Sequence, residues 1–275
     1  MKNTTGIAGV QMKVTEGVDN SDQMIAMIHN TNQNFPWVDL IVFSELCAYG
    51  FDLDRAETIP GPMTDKFCSA AKRHKKWIIP GSLFEKHRGK IFNTAVVISP
   101  EGEITARYRK MFPWRPIETN DRGSEFCVFD IPNLGRFGIA ICYDQWIPEV
   151  IRTLTWMGAE IIIHPTMTTT SDRDVELALS QAHAAFNQLY FISVNGVQGG
   201  GIGKSIFIDP DGRVLQTSGT AEETILTEII DFDHVRRTRQ MGTLGLCHPL
   251  KELQEAPITF PCYREGLPNG KYFRK

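Results

Sequence analysis

RFGIAICYDQWIPE, residues 136–149, sets the frame for the rest of the chain, because an apolar run rich in β-formers stops at a cysteine followed by polar residues and a proline. Gly138, Ile139, Ala140 and Ile141 read as a buried strand, and Pro148 with Glu149 reads as the opening of a helix that continues through Val150 to Met157. Cys142 then sits at a strand-to-helix elbow. In open α/β architectures the carboxyl ends of strands are where sites collect, and backbone N–H groups at a helix start favour the reactive thiolate. Free cysteines are also among the most buried residue types and usually serve as small hydrophobes. Position alone leaves Cys142 either a nucleophile or a core residue.

Two further stretches have the same form. DLIVFSELCAYG, residues 39–50, is an apolar strand that ends on a carboxylate, Glu45, and RYRKMFPWRPIE, residues 107–118, carries Lys110 just before an aromatic, proline-rich loop. Charges beside apolar runs are costly to bury unless they pair with one another, so Glu45 and Lys110 are expected to meet. Strand-end Glu, then Lys, then strand-end Cys, in this order and spacing, resembles the nitrilase superfamily of carbon–nitrogen hydrolases. The resemblance runs from the strand Gly6 to Gln11 through GKSIFIDPDGRV, residues 203–214.

That resemblance implies an α/β fold built as a four-layer α-β-β-α sandwich, and a cysteine amidohydrolase acting on a small-molecule amide through a thioester. It makes Glu45, Lys110 and Cys142 the catalytic triad. Glu118 falls where aliphatic amidases and formamidases carry a second glutamate that helps place the substrate and the attacking water. The backbone N–H of Tyr143 is a candidate oxyanion donor, and Trp114, Trp146 and Thr166 are candidate substrate contacts. Thr166 belongs to PTMTTTSDRD, residues 165–174, where relatives select substrates, and its threonines suggest a small polar pocket. CYDQWIPE is close to the carbamoyl-amine branch, so hydrolysis of an N-carbamoyl amine is the alternative reaction. A non-catalytic binding relative is a third reading, opposed by the intact triad. Nitrilases proper usually place Trp-Glu after the cysteine, which disfavours a nitrile. The chain departs from many relatives at Ser44, where a proline commonly precedes the glutamate, and at His183 to Asn187, where Arg-Ala-x-Glu-Asn is frequent. His183 is accordingly read as a packing residue.

Strand and helix signals alternate through the first half, and a hairpin over Ser205 to Leu215 turns at DPDG. With no repeat or linker, residues 1–275 read as a single domain. The net charge of -3 and 42% hydrophobic content give no case for nucleic acid or membrane surfaces. The one basic cluster, KRHKK at Lys72 to Lys76, reads as the solvated end of a helix. Six cysteines without a CxxC pair or zinc-like spacing predict free thiols, no metal and a cytoplasmic setting. Gly199 to Gly203 reads as a flexible connection rather than a phosphate loop, so no cofactor is expected. Residues 233–275, ending in EGLPNGKYFRK, read as a tail that needs a surface to lie on, and a homo-oligomer of two or a higher even number is expected.

Overall fold

The computed structural model of the chain describes residues 3–132 and 134–260. Two mixed sheets form its centre. One has seven strands, running in the order Thr224–Asp231, Thr4–Gln11, Leu40–Phe43, Trp77–Ile79, Lys90–Ile98 and Ser82–His87, with Ile104–Arg109 also paired to Lys90–Ile98. The other has six, in the order Val214–Thr217, Ile206–Ile208, Tyr190–Asn195, Ile161–Thr166, Gly135–Ile139 and Cys127–Ile131. Three adjacent strands in each are parallel. Parallel strands covered on both faces read as continuous apolar runs, and this is why LIVF and III are strands here.

The period of two decides which layer each residue joins. Leu40 and Val42 pack in one core with Val194, Phe207 and Phe137 of the second sheet, whereas Ile41 and Phe43 join Met24 and Ile28 of the helix Ser21–Asn34 and Phe67 of the helix Pro62–His74. On the far side, Ile151 and Leu154 of the helix Pro148–Trp156 and Ala184 of Arg173–Asn187 close the same core. The order of layers is therefore helices, sheet, sheet, helices. Gly9 shows how closely the sheets approach, since a Cβ there would lie 2.9 Å from atoms of Phe207 and Val194.

WIIPGS, residues 77–82, spans the end of the strand Trp77–Ile79 and the start of Ser82–His87, because Gly81 breaks it at φ 71 where a side chain would run into the carbonyl oxygen of Ser44. Two expectations change. The glycines after Gln198 are packed rather than flexible: Gly201–Ile202 pairs with Val197–Gln198, which in turn pairs with Lys13–Val14. Lys76 is buried, its ammonium donating to the carbonyls of Pro36 at 2.8 Å and Val38 at 2.6 Å, while Lys72 and Arg73 remain exposed. From 233 the chain lies first on its own body. The helix Phe232–Met241 buries Phe232 and Val235 in the central core, and Arg239 donates to the carbonyl of Ala159 at 2.7 Å. The final string EGLPNGKYFRK lies outside the described residues.

Candidate active site

The parallel strands of both sheets deliver their carboxyl ends to one place. Leu40–Phe43 runs out at Ser44 and Glu45, and the backbone N–H of Glu45 donates to the carbonyl of Thr166, the last residue of Ile161–Thr166 in the other sheet, at 3.3 Å. Gly135–Ile139 leads to Cys142, which adopts φ 46 at the first residue of a short 3-10 turn before the helix Pro148–Trp156. Strain of that kind in a non-glycine residue persists only where its surroundings fix it. Here Asp144 does so: its carboxylate accepts from the N–H of Ile141 at 2.9 Å, the hydroxyl of Tyr108 at 2.7 Å and the N–H of Phe112 at 2.9 Å. One buried side chain thus ties the cysteine elbow to the loop that follows Lys110.

Lys110 stands directly after the strand Ile104–Arg109 and has no exposure. Its ammonium donates to Oε1 of Glu45 at 2.7 Å and to Oε1 of Glu118 at 2.6 Å. Asn93 also donates to Oε1 of Glu45, at 2.8 Å, and the N–H of Trp114 donates to Oε2 of Glu118 at 2.9 Å. The charges are buried because each has an opposite charge and directed hydrogen bonds. Burial nevertheless raises the Glu45 carboxyl above its ordinary value, against the pull of Lys110. Burial acts to lower Lys110, but Glu45, the Cys142 thiol and Glu118 outweigh it and hold the ammonium charged. The Cys142 thiol, which engages the Glu45 carboxyl, is pushed well up by burial and by the Glu45 charge beside it. A protonated thiol next to a carboxyl with raised proton affinity can hand its proton across, and a fixed cation beside both can stabilise negative charge that forms there.

A second network holds the elbow from behind. His164 is fully buried, which lowers it to about 3, so the ring is neutral. A carbonyl can only accept, so Nε2–H of His164 donates to the carbonyl oxygen of Cys142 at 2.9 Å and Nδ1 accepts from Ser193 Oγ at 3.0 Å. Arg173 donates to that same hydroxyl oxygen at 3.2 Å and to Glu176 at 3.1 Å. Glu176 also accepts from Thr168 at 2.5 Å and from the indole N–H of Trp146 at 3.3 Å.

Cys142, Tyr143, Trp146, Trp114, Thr168 to Thr170, Asp172 and Glu176 line a small open cleft. Of the residues singled out in the sequence, Glu45, Lys110, Glu118 and Cys142 come together, with Tyr143, Trp146 and Trp114 on the cleft. Thr166 does not line it. Its hydroxyl faces that of Thr168 at 2.9 Å from a fully buried position, because the strand's alternation turns it inward. His183 is a packing residue, stacked on Phe191 with Nε2 at 2.7 Å from the carbonyl of Gln145. Sequence reasoning passed over Asn93, His164, Arg173 and Glu176. The signal for the last two was available: Arg173, Glu176, Ser180, His183 and Asn187 recur at three and four residues, a polar stripe on the buried face of a helix. Among the described residues one grouping, Asp209, Asp211 and His234, has ligand atoms spaced as a metal would need. Its groups already bond one another and the DPDG turn, and it supplies nothing to the cleft.

The family model described as carbon-nitrogen hydrolase matches residues 5–240. A formamidase of Bacillus cereus is 32% identical over 209 residues, which take in 72% of this chain and 61% of the relative, so the chain matches about three fifths of that protein's length. Among solved structures, a carbon-nitrogen hydrolase from Helicobacter pylori superposes with TM-score 0.80 at 23% identity, covering 94% of this chain and 97% of that one. An amidase from Nesterenkonia sp. gives TM-score 0.76 at 20% identity, covering 87% and 95%. At these identities the structural likeness speaks to the fold.

Proposed function

The chain belongs to the carbon–nitrogen hydrolase family, and we propose that it is a cysteine amidohydrolase converting a small non-peptide amide to a carboxylic acid and ammonia. The observation that carries this reading is the buried chain Glu45–Lys110–Glu118 beside the strained Cys142. In the first half-reaction the Glu45 carboxylate takes the thiol proton, Sγ bonds to the amide carbon, and the carbonyl electron pair moves to oxygen. Lys110 and the N–H of Tyr143 stabilise that oxyanion. As it collapses the C–N bond breaks, the nitrogen takes the proton from Glu45 and ammonia departs, leaving a thioester. Glu45 then takes a proton from a water placed by Glu118, the water oxygen bonds to the acyl carbon, and the sulfur leaves and recovers the proton. Loss of one oxyanion donor is worth roughly a hundred- to thousandfold in rate.

A cleft this small suits a short acyl group. The string CYDQWIPE favours a second reading, an N-carbamoyl amine, for which the same steps release carbon dioxide as well as ammonia. The test is ammonia release from formamide, short aliphatic amides, ω-amides and N-carbamoyl amines, by wild type and Cys142→Ala. Turnover present in the first and absent in the second supports the nucleophile, and carbon dioxide among the products selects the second reading. Turnover that survives in Cys142→Ala overturns it.

A further inference from the structure

We infer that the chain carries a second ligand site, on the outer face of the first sheet, that takes a small organic phosphate. It is a hollow of about 520 Å³ whose lining includes Lys90, Phe92, Arg107, Arg109, Arg122 and Ser124. None of its lining residues borders the cleft at Cys142.

Strand alternation builds the floor. Tyr108 points into the core between the sheets, so Arg107 and Arg109 on either side of it point out the other way. Phe92 stands opposite Glu85 in register and shares that outer face. Glu85 is fully buried and accepts from Nε and one terminal nitrogen of Arg109, both at 2.8 Å, and from Arg107 at 2.9 Å. One carboxylate thus fixes two guanidinium groups and neutralises one of them. The other terminal nitrogen of Arg109 has no hydrogen-bond partner among the described residues, and its guanidinium lies 4.4 Å from the centre of the Phe92 ring.

The segment that follows Glu118 closes the side. Asp121 donates its N–H to the carbonyl of Ile91 at 2.6 Å, and Gly123 donates to that of Lys110 at 2.8 Å. A Cβ on Gly123 would lie 2.1 Å from the carbonyl oxygen of Arg109, so only glycine lets the segment lie this close. It brings Arg122 and Ser124 to the rim. Among the described residues Arg122 has no carboxylate partner and touches only the ring of Phe112, at 5.9 Å, while Lys90 stands 4.0 Å from Asp121. Four cations, Lys90, Arg107, Arg109 and Arg122, therefore meet three carboxylates, Glu85, Asp121 and Glu125, an excess of one positive charge. This excess stands on a chain whose net charge is -3, so it is not a general basic background. An anion offsets it.

The donors choose among anions. They come from three stretches of chain: Arg109 from one strand, Lys90 from its neighbour, and Arg122 with the Ser124 hydroxyl from the closing segment. A phosphate offers three terminal oxygens on a tetrahedron to donors arriving from several sides, and guanidinium forks match it, whereas a carboxylate offers two oxygens in one plane. The volume exceeds a bare ion and lies in the range of metabolite sites. The remaining space, beside Phe92 and the alkyl stems of the basic side chains, suits an uncharged organic body.

The experiment is isothermal titration calorimetry of the full chain at low ionic strength with phenyl phosphate, inorganic phosphate and benzoate. Phenyl phosphate is expected to bind once per chain, at least tenfold tighter than either of the others, and to weaken as salt is added. Lys90 and Arg122 are exposed, so a Lys90→Gln/Arg122→Gln double variant should keep its unliganded Tm and lose at least tenfold in affinity. Ser124→Asp, which sets a like charge at the rim, should lose affinity in the same way. Lys72→Gln/Arg73→Gln, on the exposed basic helix end, should stay within twofold of wild type. No binding of phenyl phosphate overturns the site. Affinity that survives both rim changes, or falls equally in the helix-end variant, places the anion elsewhere and overturns it too. Equally tight benzoate or inorganic phosphate overturns the choice of an organic phosphate. Because binding is read directly, none of these results depends on the amide chemistry proposed above.

Discussion

His164 carries no charge that chemistry at neutral pH could use, yet its Nε2–H is the group that holds the carbonyl of Cys142 in its left-handed backbone turn. A residue that aims a nucleophile affects the rate of bond formation more than the binding of substrate, and an error of about 1 Å can cost roughly a hundredfold. His164→Ala is therefore expected to lower kcat by roughly ten- to a hundredfold with little change in KM. His164→Gln, which keeps an N–H in reach of the carbonyl, should recover part of the loss. Steady-state kinetics decide it, and a rise in KM at unchanged kcat would put His164 outside the positioning of the thiol. Glu45 makes the second residue-scale prediction. Burial raises its carboxyl above the ordinary 4.5 and Lys110 only partly offsets this, so the base is still protonated, and idle, at pH values where a solvated glutamate is ionised. The acid limb of kcat/KM should thus lie above pH 4.5. Asn93 donates to the ionised form, and Asn93→Ala should move the limb further up, whereas a limb that moved down would contradict the assignment of Glu45 as the base.

At the scale of elements, the site depends on how strands end. Gly81 occupies φ 71 with Ser44's carbonyl where its side chain would be, so the strand end that presents Glu45 is shaped by a glycine on the neighbouring connection. Gly81→Ala combines a left-handed backbone with overpacking and is expected to cost roughly 2–5 kcal/mol, seen as a lower urea midpoint. An unchanged midpoint would mean that the connection yields. Strand ends were also what the sequence made legible. LIVF before Ser44 and GIAI before Cys142 are short buried apolar runs, the first a strand throughout and the second a strand up to Ile139, so Glu45 and Cys142 could be located by where those runs stop. The helix Arg173–Asn187 was harder to read, because polar residues at three- and four-residue spacing ordinarily mark a solvated face, and here they mark the face turned to Ser193 and Gln145. Lys76 and Gly199 to Gly203 misled for a related reason. A lysine in a basic run and glycines in a row look solvent-facing until long-range partners, the carbonyls of Pro36 and Val38 and the strand Lys13–Val14, are in place. Such partners have no local signature.

For the whole molecule, the described part of the chain beyond the helix Phe232–Met241 leaves large apolar side chains in the open, with Leu246 79% and Ile258 64% exposed. Covering them with a second copy is the oligomer that the tail reading predicts, and sedimentation should find an even multiple of 31.0 kDa; a 31.0 kDa species alone would refute it. Within one chain, Glu45 and Lys110 come from the first sheet and Cys142 from the second, and the hydrogen bond from Glu45 to Thr166 joins the two at their rims. The thiol is therefore a reporter on closure. A chain with every strand and helix formed but its halves a few ångströms apart would have a nearly native circular dichroism spectrum and be chemically silent. In a urea titration, ammonia release should fade before the far-ultraviolet signal does, so turnover per milligram measures the fraction of properly closed molecules in a preparation more strictly than any spectrum of its backbone.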